Sequence, residues 1–271
     1  MTGTALAAPS SRARLTAAFE RGDLDEAERQ GELAGPALID QLLRLGVRRV
    51  DASMIPTRGK TTDRSAVLAA IVAAPFVEDR AELLAPLADL AAGPDRRTAI
   101  PAALSAVRLA RWLITTPPAD DIAPDDIVTW RDRYASIAMD SSRWIELRVA
   151  ALEVAAALTA TPSLAPSTDN PIGVALATAL KDPDPAFRAA VITALPVPVP
   201  ASARAVVAAL VASDPNADVA LAAAAALCAD TTVDPSAPVI AAIGDAGTAR
   251  LKKLVEVKVP GARDAKRCLK K

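Results

Sequence analysis

Histidine is absent from all 271 residues of the chain. Its absence removes the side chain that most readily titrates near neutrality, and with it serine–histidine and cysteine–histidine nucleophile pairs and most zinc sites. Cysteine occurs only at Cys228 and Cys268, too few for a four-cysteine metal site. Aromatics make up 3% of the residues, and the strand formers tyrosine, phenylalanine and threonine are scarce beside alanine. No charge-free apolar run approaches the ~18 residues that a membrane-spanning helix requires. The longest alanine-rich stretch, Val219 to Ala229, is too short.

What is abundant is alanine, nearly a quarter of the chain, within a hydrophobic fraction of 52%. Alanine is the best helix former and lets helices approach closely, so the expected class is all-α. The length suffices for one large domain or two small ones with a sizeable core.

Charge is unevenly spread. Between Thr248 and Lys271, nine basic residues stand against Glu256 and Asp264 alone, a segment charge of +7 in a chain whose net charge is −1, which leaves −8 for the rest. An acidic body with a basic end suggests an electrostatic contact through Lys252, Lys253, Arg263, Lys266 and Arg267; the plainer reading, and the favoured one, is a solvated terminal helix.

The two cysteines support two readings. In an oxidising compartment they pair and staple the C-terminal helices. Alternatively Cys228, set in "LAAAAALCAD", is a small buried hydrophobe with a free thiol, and this reading is favoured. Near the start, Ala5-Leu6-Ala7 has the small-x-small pattern of a signal-cleavage site, without the basic and apolar regions of a full signal. It reads equally as the edge of an exported mature chain or as an ordinary alanine-rich end. Cytoplasm and periplasm both remain open.

Helical periodicity dominates. Two short helices are expected over 11–22 and 23–33, around Gly22. A third spans 35–47, with Pro36 in its first turn and Gly46 as its stop. Residues 48–60 read as irregular. Helices follow over 63–75, 77–93 and 94–114, the last with a kink at Pro101. A Pro- and Asp-rich linker covers 115–126, helices cover 125–140 and 142–158, and a second linker covers 159–171. The expected organisation is a flexible segment 1–12 and one helical domain 13–271, with sub-boundaries at linkers 115–124 and 159–170.

Spacing sharpens this picture. Asp182, Pro183, Phe187, Ala190 and Leu195 recur as Asp214, Pro215, Val219, Ala222 and Leu227, all at an offset of 32. Leu147, Arg148, Ala150 and Ala151 match Phe187, Arg188, Ala190 and Val191 at an offset of 40. Periods of this length with paired helices mark an α-solenoid. In "PAFRAAVITALP", Phe187, Ala190, Val191, Ala194 and Leu195 form one apolar face, Asp184 sits where it can cap the helix, and Pro185 suits the first turn.

The stretch "ALATALKDPDPAFRAAVITAL" resembles a HEAT repeat: an apolar helix, an Asp-Pro turn, and a second helix carrying arginine and small apolar residues. The resemblance is good over 170–228, fair over 140–158 and suggestive over 61–114, and the first sixty residues do not fit it. It implies an α-solenoid of antiparallel helix pairs with an irregular N-terminal part. It also implies a ladder in which a turn aspartate and a second-helix arginine join neighbouring repeats, placing Asp182, Arg188 and Asp214 in it. Ala220 stands where the next arginine belongs, so the ladder breaks there.

Other candidate sites are weak. "RGKTT" (58–62) resembles the end of a phosphate loop, but Met54 occupies the required glycine position, and an exposed basic loop is the reading. Asp120, Asp121, Asp125 and Asp126 match no calcium-loop spacing, and helix-dipole complementation explains the last two. Trp112, Trp130, Tyr134 and Trp144, with Arg131 and other arginines nearby, form an aromatic zone that reads first as core and second as a groove for a peptide or base.

The expectation is a non-catalytic HEAT-like scaffold or adaptor that needs no cofactor or metal and binds a protein partner along its concave face or basic end. Because some HEAT-like proteins are DNA glycosylases, a base-processing enzyme using the aromatic zone is the first alternative; the acidic body argues against a duplex partner. An exported periplasmic structural module is the second.

Overall fold

The computed structural model describes residues 10–52, 61–78, 80–115, 122–159, 178–195, 199, 201–230 and 239–268. Ser10 opens the first helix, α1 (Ser11–Glu20), by accepting the Ala13 amide on its hydroxyl at 3.3 Å. Gly22 turns the chain with φ 73°, and α2 (Leu24–Ala52) follows. Gly35 breaks α2, with φ 76° and ψ 169°, and Pro36 starts its second half, the first-turn position expected for it.

Gly46 does not stop this helix. It lies inside α2, where a Cβ would come within 2.8 Å of Val67 and 2.9 Å of Leu90. It is the point at which neighbouring elements come close. Gly31, earlier on α2, serves the same purpose: a Cβ there would collide with that of Ala73.

Beyond lie α3 (Thr61–Ala73), two 3-10 turns at Ala74–Phe76 and Ala81–Leu83, α4 (Leu84–Ala92) and α5 (Arg96–Thr115). Helix α5 runs on through Pro101 without interruption. Then come α6 (Pro124–Met139), α7 (Ile145–Thr159), α8 (Pro185–Ala194), α9 (Ala201–Ser213), α10 (Ala217–Asp230), α11 (Val239–Glu256) and α12 (Ala262–Cys268). Among the described residues there is no strand, so the all-α class holds there. No helix among them is long and apolar enough to cross a membrane.

The chain divides into two compact units, Met1–Ile137 with Ala157–Ala165, and Ala138–Ala156 with Pro166–Lys271. In the first, α2 packs on α1, α3 and α4, and α5 packs on α3 and α4. Leu15, Ile39, Leu43, Ile71, Leu84, Leu87 and Leu109 fill its interior, and the Ser105 hydroxyl reaches the Ile71 carbonyl. In the second, α9 packs on α10 and α11, while α10 also meets α8 and α12. Helices α9 and α10 thus each touch both the next helix and the one after it, whereas α8 meets α10.

The segments 1–9, 53–60, 116–121 and 160–177 lie outside the described residues. With them fall Ala5-Leu6-Ala7, Met54, "RGK" of 58–60, Asp120, Asp121 and most of both expected linkers.

Candidate functional site

The polar groups that bind the second unit together begin at the turn before α8. Asp182 accepts the Asp184 amide at 2.9 Å, and Asp184 caps α8 by accepting the amides of Ala186 and Phe187 at 2.8 and 3.4 Å. The next turn repeats these bonds 32 residues later. Asp214 accepts the Asn216 amide at 2.9 Å, and Asn216 accepts those of Asp218 and Val219 at 2.8 and 3.3 Å. The offset read in the sequence is thus also an offset in hydrogen bonding.

An arginine from an earlier helix reaches into each turn, from 34 residues before Asp182 and 26 before Asp214. Arg148, on α7, donates from Nε to the Ala138 carbonyl at 2.9 Å and from Nη2 to Asp182 at 2.6 Å. Its guanidinium lies 3.7 Å from the Phe187 ring centroid. Arg188, on α8, grips Asp214 in fork geometry, Nε to Oδ2 at 2.9 Å and Nη2 to Oδ1 at 3.0 Å. Its Nη1 donates to the carbonyls of Asp182 and Pro183 at 2.6 and 3.1 Å. Arg188 therefore fastens its own turn and the next one together.

Both pairs are buried: the side chains of Arg148 and Asp182 are 4% and 9% exposed, and those of Arg188 and Asp214 are 9% and 2% exposed. Burial alone pushes the Asp182 carboxyl up. Hydrogen bonds from Arg148 and the Asp184 amide, with the charges of Arg148 and Arg188, outweigh that and hold it below its ordinary value. Burying Arg188 also rotates the stripe that α8 turns inward. Phe187, Arg188, Val191, Ile192 and Leu195 are buried, whereas Ala190 and Ala194, expected on that face, are half-exposed.

The third position holds Ala220, fully buried, and Asp245 further on is exposed. A different bond occurs here. Cys228, on α10, is disulfide-bonded. The only other cysteine of the chain is Cys268, on α12, so the favoured expectation of a free thiol at Cys228 is overturned. The residue is buried as expected.

The aromatic zone has core character where it lies in the first unit. Tyr134 is fully buried, its hydroxyl donating to the Leu84 carbonyl at 3.2 Å, and burial pushes its ionisation far up. Trp130 and Arg131 are buried, Arg131 being paired with Asp132 at 2.8 Å. Trp112 is half-buried under Arg80, whose guanidinium lies 3.9 Å from the ring centroid. The Arg80 Nε is buried without a partner, and burial lowers the guanidinium's pKa. Trp144, in the second unit, is half-buried with Arg143 at 5.5 Å.

The basic end is exposed. Lys252, Lys253, Lys258 and Arg263 are exposed, Lys266 is half-exposed, and Arg267 is ion-paired with Asp264. No group of three or more metal-ligating acids or cysteines occurs among the described residues; Asp125 and Asp126 are exposed in the first turn of α6.

No family model and no curated protein matches this chain.

Two features escaped sequence reasoning. The bond from Arg148 to Asp182 was hidden because the 40-residue offset that matched Arg148 to Arg188 differs from the 32-residue offset of the turns. Lys258 drew attention only as one of nine basic residues, yet it is the one non-glycine with positive φ among the described residues, at 60°.

Proposed function

We propose that the chain is a HEAT-like α-solenoid, at least over its second unit, that works as a non-catalytic scaffold or adaptor for a protein partner. The observation that supports this reading is the recurrence of one construction: the same capped aspartate turn, entered by a buried arginine from an earlier helix, at Asp182 and again at Asp214. Helices that pack on the next and the next-but-one element fit a stack in which each layer contacts its neighbours. Arg148 and Arg188 both direct their described hydrogen bonds to partners inside the fold, which supports a role in stability rather than chemistry. Partner recognition would then rest on surface complementarity displayed by a stiff array, along its concave face or at its basic end. Purification from the native source tests this. A protein that co-elutes in fixed ratio and stays with the chain through a second column supports it; a chain recovered alone from crosslinked cells counts against it.

The disulfide at Cys228 favours a compatible reading, residence in an oxidising compartment such as the periplasm. Cell fractionation decides it: recovery with cytoplasmic markers only would remove it.

A further inference from the structure

The end of α11 closes in a way that its sequence does not favour. The Val259 amide donates to the Leu254 carbonyl at 3.0 Å and the Lys258 amide to the Val255 carbonyl at 3.1 Å, the paired bonds of a Schellman cap. The residue in the left-handed position of that cap is ordinarily glycine, because a Cβ is strained there. Here it is Lys258, with φ 60°. A cation near a helix C-terminus gains something from the dipole, but a lysine one residue earlier would gain the same without strain. The strain points to a role for the side chain where this position places it.

Lys258, Arg263 and Arg267 line a depression of about 330 Å³ whose remaining walls include Val255, Val259 and Pro260. The carboxylate on the rim, Asp264, is ion-paired with Arg267, so Lys258 and Arg263 remain as cations with no ion pair among the described residues. Two unbalanced positive charges around a small, partly apolar hollow match a compact dianion. Arginine supplies a planar fork of donors and lysine a point charge, the usual combination for phosphate oxygens.

We infer that this hollow binds a phosphate monoester group, with Lys258 and Arg263 as its ligands. The inference deepens the reading of the basic end as a contact surface by naming the chemistry it contacts, and it is tested apart from any protein partner. The probe is inorganic phosphate, titrated calorimetrically into the full chain at low ionic strength, with Lys258→Gly, Arg263→Gln and, at an exposed lysine far along the chain, Lys181→Gln as variants. Lys258→Gly relieves the backbone, so it should raise the melting temperature while weakening phosphate binding about tenfold or more. A purely structural lysine cannot produce opposite signs in the two measurements. Arg263→Gln should weaken binding similarly with an unchanged melting temperature, and Lys181→Gln, outside the hollow, should leave binding intact. Equal weakening by Lys181→Gln, unchanged binding in Lys258→Gly, or no phosphate binding by the wild-type chain overturns the inference. Vesicles containing phosphatidic acid identify the source: displacement of phosphate by them assigns the group to a lipid, and phosphate binding that they leave undisturbed assigns it to a soluble ligand.

Discussion

Replacing Arg188 by alanine should be among the most damaging single changes in the second unit. The substitution deletes four hydrogen bonds, two of them to Asp214, and leaves that carboxylate, 2% exposed, with the Asn216 amide as its remaining described donor. Removing one member of a buried ion pair costs about 3–5 kcal/mol, because the survivor is an uncompensated charge rather than a lost contact. That is a large share of the ~5–15 kcal/mol that holds a domain together. With a urea slope of ~2–3 kcal/mol per molar, the unfolding midpoint of this unit should fall by about 1–2 M at unchanged slope. Far-ultraviolet circular dichroism across a urea series reads it. The double variant Arg188→Met with Asp214→Leu removes both charges and should recover most of the loss. A midpoint within ~0.3 M of wild type for Arg188→Ala, or a double variant as unstable as the single one, would refute the reasoning.

Other outcomes follow from the same structure. Gly31→Ala should destabilise by about 1–3 kcal/mol despite alanine's better helix propensity, since its Cβ meets Ala73 head on; thermal melts decide the sign. Asp182 is held below its unfolded value of 3.8, so the stability it contributes is fully present above that value and is lost as pH falls through the lower folded value. The midpoint difference between wild type and Asp182→Asn should therefore be constant over about pH 5–7 and shrink below about pH 4. Reduction of the disulfide opens a loop of about 40 residues and should cost roughly 4 kcal/mol on the chain-entropy estimate, measured as a lower urea midpoint in reductant. The denatured, unreduced protein should show no reactive thiol, and two reactive thiols would exclude the bridge.

Much of the architecture was legible because short-range rules decide it. Asp184 before Pro185, Gly22 between two apolar runs, and the alanine-rich stretches all act within a turn or two. What escaped required knowing a partner. A glycine ends a helix or admits a neighbour, and only the nearness of Val67 and Leu90 shows that Gly46 does the second. Arginine counts as polar in an amphipathic pattern, so the buried stripe of α8 was placed over Ala190 and Ala194 instead of Arg188 and Ile192. The arginine is inside because Asp214, 26 residues away, is there to meet it. Tyr134 and Trp130 read as core first and are buried, while no arrangement of sequence neighbours could have paired Trp112 with Arg80.

The disulfide at Cys228 answers to its surroundings in a way that the buried ion pairs of the second unit do not. Ion pairs at Arg148 and Arg188 hold in any redox medium, whereas the link from α10 to α12 lasts only where electrons are not readily donated. In a reducing medium the amides of α12 should therefore exchange with solvent well before those of α8. Amide exchange in α12 is thus a gauge, carried by the chain itself, of the redox state of its surroundings.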